Sequence, residues 1–148
     1  MTLYAVAGSR IYIGDPLNDK DTDFVAGDFA GQSWLEIDGW ETAGEVGDEA
    51  SIITTSIINR GRDVKMKGTR NAGQMQNNFA VIPGEDGQAA LIAAEKTENN
   101  WAFRIVWEGG QTSYFIAMVA SARFTGGGAN TVRMLSSTFE VNSNVVTV

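Results

Sequence analysis

From residue 101 onward, apolar and polar positions alternate with a period of two. Trp101, Phe103, Ile105 and Trp107 interleave with Ala102, Arg104 and Val106, as expected of a strand with one buried face. Gly109-Gly110 follows, and a second β-rich run continues from Ser113 to Phe124. Two glycines between such runs predict a hairpin closed by a primed two-residue turn. Gly126-Gly127-Gly128 breaks the pattern, and a last strand is predicted over Val132–Val141. Leu135, Phe139 and Val141 share one of its faces, and Ser136, Thr138 and Glu140 share the other. Earlier in the chain, Trp34–Trp40 and Ser51–Ile58 read as strands, and Val64–Lys67 and Gln74–Ile82 carry a fainter form of the pattern. A single segment reads as helix. Pro83-Gly84 ends a strand, Asp86 is placed to cap, Gln88–Lys96 is rich in Ala, Leu and Glu, and Asn99-Asn100 stops it. Leu91 and Ile92 are the side chains expected to dock it. The outline is a mainly β fold: two packed antiparallel sheets, as a sandwich or partly open barrel, with one flanking α-helix.

Length and composition narrow the function. The 148 residues suit one domain spanning 1–148. Hydrophobic residues at 43% and charged residues at 20% give a globular balance. There is no histidine and no cysteine. Disulfides, zinc sites built on those residues, cysteine nucleophiles and a Ser-His-Asp triad are therefore excluded. No cofactor or metal is implied. The opening residues Met1–Gly8 lack a basic leader and a long apolar core, which makes a poor signal peptide. The longest apolar run, Tyr114–Ala120, is strand length, far short of the ~20 residues of a membrane helix, so no membrane partner is expected. A cysteine-free chain is compatible with assembly in a cytoplasm.

Charge is unevenly spread. The formal net charge is -7, yet the stretch before residue 50 carries eleven acids against only Arg10 and Lys20. Arg60, Arg62, Lys65, Lys67 and Arg70 then stand against Asp63 alone. This basic arm, around residues 59–73, has no evident core of its own. It reads either as a solvated hairpin or as an arm that docks on an acidic surface of another copy.

Several chemical motifs fail on inspection. Asp19, Asp21 and Asp23 alternate as in a calcium loop, but Phe24 stands where glycine is needed and Ala30 where glutamate is needed. Gly126-Gly127-Gly128 is followed by β-like sequence, not by the helix a phosphate cradle requires. Glu36 and Asp38 lie two apart on a predicted strand, but no cleft is identified to tune them as an acid/base pair. Trp101, Phe103 and Trp107 could stack on bases, but strand alternation puts Arg104 on the opposite face, and the core is the expected place for the aromatics.

The order of several segments resembles the tail tube proteins of long-tailed bacteriophages. The resemblance begins at Trp34-Leu35-Glu36-Ile37-Asp38-Gly39 and Ala43-Gly44-Glu45-Val46-Gly47. It strengthens at Arg62-Asp63-Val64-Lys65-Met66-Lys67-Gly68-Thr69-Arg70-Asn71-Ala72-Gly73. Pro83-Gly84-Glu85-Asp86-Gly87-Gln88-Ala89-Ala90-Leu91 and Trp101-Ala102-Phe103-Arg104-Ile105 extend it to most of residues 30–141. The sequence is more similar to the non-contractile, flexible-tail type.

The resemblance implies a structural virion protein rather than an enzyme. It further implies homohexameric rings stacked head to tail into a hollow tube that phage DNA traverses without sequence-specific binding. Further copies, a tape measure protein and tail tip or terminator proteins would be its partners. It would reside in the virion tail after assembly in the host cytoplasm. In such a tube Arg60, Arg62, Asp63, Lys65, Lys67 and Arg70 are expected in the inter-ring contact arm. Passing DNA carries about one charge per 1.7 Å of axis, so a bore lined by small polar and acidic groups would keep it from adhering. Glu36, Asp38, Ser136, Thr138 and Glu140 are the residues expected there. Ser51–Ile58 is ambiguous, with Ile and Thr or Ser on both faces. The competing reading is a monomeric β-sandwich that binds carbohydrate or peptide on an exposed platform of Trp34, Trp40 and Trp101.

Overall fold

In the computed structural model, which describes residues 1–148, ten strands, one α-helix and a single 3-10 turn (Ala26–Phe29) follow in order. The strands are β1 (Arg10–Pro16), β2 (Leu35–Glu36), β3 (Trp40–Thr42), β4 (Glu49–Ile57), β5 (Arg62–Asn71) and β6 (Gln74–Ala80). After α1 (Asp86–Glu95) come β7 (Trp101–Val106), β8 (Thr112–Thr125), β9 (Met134–Val141) and β10 (Val146–Thr147). Eight strands make one sheet in the order β2-β1-β7-β8-β9-β6-β3, with β10 also on β8; β4 and β5 form a second sheet. Every pairing is antiparallel.

The large sheet must curl, because its two edge strands are consecutive in the chain. Only Ile37, Asp38 and Gly39 separate β2 from β3. The inward-facing side chains accordingly form one core drawn from both ends of the strand order: Ile11, Phe103, Phe115, Phe139, Leu135 and Phe79. Phe103 lies at its centre, with ring centroids 4.4 Å from Phe139 and 5.5 Å from Phe115. Leu91 and Ala94 of α1 belong to the same core, and Ile92 packs partly against it. The result is the mainly β, partly open barrel with one helix that the alternation predicts.

Local departures from the predicted elements have physical causes. The predicted strand over Trp34–Trp40 is two short strands, because Ile37 turns inward to 1% exposure and breaks the alternation. The Gly39 carbonyl accepts the Ala80 amide at 2.7 Å, starting the β3–β6 pairing beyond the break. The β7–β8 turn is longer than two residues. Trp107 N–H donates to the Gln111 carbonyl at 2.8 Å, leaving Glu108, Gly109 and Gly110 as the loop, with both glycines at positive φ. Strands β1 and β10 have no counterpart in the sequence reading.

The helix is capped by Glu85 and not by Asp86, which is already helical. The Glu85 carboxylate accepts from Gly87 N–H at 3.0 Å and Gln88 N–H at 2.7 Å, satisfying two of the orphan donors of the first turn. Gly87 lets the helix lie directly on the chain at Glu36–Ile37; a Cβ there would collide with the Glu36 carbonyl. Buried Gln88 ties the open end of the barrel together. Its amide nitrogen donates to the carbonyls of Asp38 and Ala80, each at 2.8 Å, and its oxygen accepts Ile82 N–H at 3.2 Å. Replacing Gln88 with Ala leaves these backbone groups without partners, so Gln88→Ala should cost about 1–3 kcal/mol. Urea unfolding should show this as a lower midpoint at unchanged slope.

Candidate assembly surfaces

Two surfaces stand out because the molecule leaves them incomplete. The first is the ribbon formed by β4 and β5. Nearly every residue along it is exposed, and both of its outer edges lack a strand partner. The register places Ile53 opposite Met66, Thr55 opposite Val64 and Ile57 opposite Arg62. These side chains share one face, an apolar stripe ending in an arginine. The other face pairs Ile52 with Lys67, Thr54 with Lys65 and Ser56 with Asp63, and Ala50 faces Arg70 beyond a bulge. Ser56 donates to Asp63 at 2.6 Å. Arg60 sits in the turn, and Arg70 approaches Asp48 at 4.0 Å near the base.

The basic arm is therefore one strand of a longer element that begins at Glu49. Ser51–Ile58, ambiguous from sequence, is its partner strand and lies off the barrel. The arm is also amphipathic, with Ile53 at 47%, Val64 at 41% and Met66 at 62% exposure on its apolar face. Either strand read separately conceals the apolar stripe, which exists only once they pair.

The ribbon is a continuation of the β3–β6 pair. β5 runs into β6 through Ala72–Gly73, and β3 leads to β4 through residues 43–48. Buried Asn77 fixes the point of departure: its Oδ1 accepts from Trp40 Nε1 at 3.2 Å and Gly44 N–H at 3.1 Å.

The second surface is half of the barrel's outer face. One half is covered. Residues 17–34 fold over β1, β7 and β8, and Phe24 and Phe29 pack with Ala102 and Ile116 as a second small core. Asn144 clamps the covering loop at both groups of Phe24, accepting its N–H at 2.7 Å and donating to its carbonyl at 3.0 Å. Lys20 holds Asp28 at 2.6 Å. That hydrogen bond, followed by one from Val25 N–H, lowers the Asp28 pKa. The tether is present at neutral pH and is lost as pH falls through the folded value. Arg104 lies opposite Phe103, as alternation requires, but its face has aromatics of its own. The guanidinium stands 4.1 Å from the Tyr12 ring centroid and 5.0 Å from that of Trp34.

The other half, formed by β6, β9 and the second half of β8, is uncovered. Its rungs are Gln74–Glu140–Met118, Gln76–Thr138–Ser121 and Asn78–Ser136–Arg123. Gln74 donates to Glu140, and Ser136 donates to Asn78 at 2.7 Å. Beyond Ala117, β8 has no strand partner on its β7 side. Ser136, Thr138 and Glu140 thus come together, joined by Gln74, Gln76, Asn78, Ser121 and Arg123, which the sequence reading misses. The alternation of Gln74, Gln76 and Asn78 with Met75 and Phe79 is the available signal. Glu36 and Asp38 do not join this set. Glu36 is at the far edge of the strand order, 3.4 Å from Arg10, and Asp38 lies in the break between β2 and β3. The face balances one carboxylate against one guanidinium, in place of the expected acidic excess.

The three tryptophans form no exposed platform. Each is half-buried. Trp34 tilts against Tyr114 at 6.0 Å, Trp40 against Trp107 at 6.1 Å, and Trp101 Nε1 donates to Thr97 at 3.0 Å. The carbohydrate- or peptide-binding alternative loses its structural support.

No protein-family model matches the sequence, and no curated protein matches it. Solved structures do match. A chain in the cryo-EM structure of an extracellular contractile injection system, the PVC sheath/tube terminator in its extended state, aligns with a TM-score of 0.72 at 13% identity, covering 100% of this chain and 98% of the other. The SPP1 tail tube aligns at 0.63 and 14% identity, covering 97% of this chain and 78% of the other. The tail of an empty GTA particle aligns at 0.58 and 14% identity, covering 91% and 92%. The chain carries the tail-tube fold.

The two polar segments should differ in mobility. A two-stranded ribbon is marginal without a covered face, whereas the loop over residues 17–34 is anchored. In the unassembled protein, β4 and β5 amides should exchange hydrogen within seconds and the Phe24 amide far more slowly. Asn144→Ala should accelerate exchange at Phe24 about ten-fold, the effect of losing about 1.4 kcal/mol of local hydrogen bonding.

Proposed function

We propose that this chain is a structural subunit of a phage-type tail tube, built from homohexameric rings stacked head to tail, of the non-contractile kind the sequence resemblance implies. One observation carries the reading: the chain extends an amphipathic two-stranded ribbon with open edges and no partner in its own molecule. Such edges recruit other chains, and closing a sheet between subunits removes them. The fold shared with tube and terminator assemblies supports the same conclusion. No catalytic assignment is part of it.

Within a ring, the open edge of β8 from Met118 to Thr125 is where a neighbour's strand would join. The uncovered face of β6, β9 and β8 would then line the bore. Ser136, Thr138 and Glu140 would face it with Gln74 and Gln76. Such a wall is polar and close to neutral, so passing DNA is neither bound strongly nor strongly repelled. Glu36 and Asp38 drop out of the lining. The basic face of the ribbon, with Lys65, Lys67 and Arg70, would bridge to the acidic body of a copy in the next ring. The tape measure protein and tail tip or terminator proteins are the further partners, and the assembled particle is the virion tail.

Charge reversal tests the bridging. An exposed pair contributes about 0.2–1 kcal/mol, but every ring repeats it. Lys65→Glu with Lys67→Glu should raise the concentration needed for polymerisation at least ten-fold, and high salt should weaken wild-type assembly in the same direction. Negative-stain micrographs should show wild-type tubes with six-fold end views. Normal tubes from the reversed variant would rule out a bridging ribbon.

A further inference from the structure

We propose that Asp38–Gly39 is a site of spontaneous covalent modification, at which the aspartate converts through a cyclic imide to isoaspartate. The chemistry needs only the single chain and is independent of tube assembly. The sequence contains two Asp-Gly pairs, Asp38–Gly39 and Asp86–Gly87, and no Asn-Gly. The two stand in opposite situations. Asp38 is exposed in the break between β2 and β3, and Gly39 N–H donates to Asp38 Oδ1 at 2.7 Å. The carboxyl carbon is one bond from that oxygen, close to the separation of about 3–3.5 Å from which a positioned nucleophile reacts. Gly39 has no side chain to shield its nitrogen, and the fold permits none: its φ is +83°, and a Cβ there would collide with the Ala80 carbonyl. Asp86 is exposed too, but Gly87 is buried. Gly87 N–H donates to the Glu85 carboxylate at 3.0 Å in the first turn of α1, so that amide is committed to the helix cap rather than to its own aspartate.

The step needs no co-reactant but water. The Gly39 nitrogen attacks Cγ of the protonated Asp38 carboxyl. The N–Cγ bond forms, the C–OH bond breaks, and the hydroxyl leaves with the amide proton as water. The product is a five-membered imide, and water then adds to one of its two carbonyls. Opening the N–Cγ bond restores aspartate. Opening the bond from nitrogen to the former main-chain carbonyl carbon gives isoaspartate, whose main chain runs through Cβ and Cγ. The link gains one carbon, and the old main-chain carbonyl becomes a free carboxylate. That link holds the two edges of the large sheet together. The Asp38 carbonyl accepts from Gln88 Nε2 at 2.8 Å, and the Gly39 carbonyl accepts the Ala80 amide at 2.7 Å. Both acceptors sit in the segment that lengthens, so the modification loosens the barrel where β3 begins.

Ageing the purified protein tests this, with Asp86–Gly87 as the internal control. Asp38 and Asp86 fall in different tryptic peptides, 21–60 and 71–96. After prolonged incubation at mildly acidic pH, mass spectrometry should find the imide, lighter by one water, at Asp38. Electron-transfer fragmentation should assign isoaspartate to Asp38 at least ten-fold above Asp86. Equal accumulation at the two, or none at Asp38, would overturn the proposal. In urea both pairs become ordinary flexible dipeptides, and their rates should converge; a difference that persists there would overturn the geometric assignment. Asp38→Glu should abolish the modification, because the extra methylene makes the ring six-membered. The aged Asp38→Glu protein should keep its urea midpoint, while that of the wild type falls in step with isoaspartate. A wild-type midpoint that stays constant as isoaspartate accumulates would overturn the loosening of the barrel.

Discussion

Backbone hydrogen-bonding groups must find partners, and this chain satisfies that requirement for only part of its length. In the barrel the ladder is nearly complete: each central strand has a neighbour on both sides and the helix covers the gap between the ends. The requirement is unmet along the ribbon and along the second half of β8. Chains that fold alone blunt such edges with short strands, proline or inward charge. Here β4 and β5 have nine and ten residues and contain no proline. Edges this long in a chain with a well-buried core are what the proposed tube would complete from outside the molecule.

The same logic explains the asymmetry of the large sheet. A sheet buried on one face alternates strictly, whereas one buried on both loses alternation. β9 keeps it, with Met134, Ser136, Thr138 and Glu140 half-buried and the residues between them buried. β8 loses it between Phe115 and Ala117, all three of which are buried, because the loop carrying Phe24 and Phe29 covers the outer face there. The alternation returns at Met118, where that cover ends. Burial, and not the apolar run Tyr114–Ala120 itself, thus marks the boundary between the covered and uncovered halves of the sheet within one strand.

How much of this is legible from residues alone follows from the range of the interactions. The β7–β8 hairpin and β9 are visible because their signal is local: a period of two and glycine at the turns. The helix is visible from composition, but its cap is not, because Glu85 caps from just outside the residues that form the helical run. Strand β1 is obscured because its alternation ends within a few residues at Pro16. The split between β2 and β3 depends on Ile37 turning into a core assembled from distant strands, and no periodicity within residues 34–40 encodes that. The polar rungs are half legible. Ser136, Thr138 and Glu140 follow from parity on β9, but their pairing with Gln76 and Asn78 of β6 needs the register between strands. Glu36 and Asp38 group with them by sign of charge alone, and charge does not determine which face a residue occupies.

The ribbon shows why charge is also an incomplete guide to assembly. Residues 60–70 read as a basic arm, and charge alone favours an electrostatic contact, which is salt-sensitive and tolerant of geometry. Pairing with residues 49–57 adds a stripe of isoleucine, valine and methionine on the opposite face. Apolar burial is non-directional in itself, but it demands shape complementarity and contributes about 25 cal/mol per Å² covered. An element with both faces can combine the two effects, with charge guiding approach and apolar packing holding the final position. Both properties come from one register: shifting β5 by a single residue would exchange the lysines with Val64 and Met66 and mix the faces. The bulge opposite Ala50–Ile52 is part of that register, and Asn77 fixes only where the ribbon departs, by holding Trp40 and Gly44 against β6, so both faces rest on the pairing of β4 with β5.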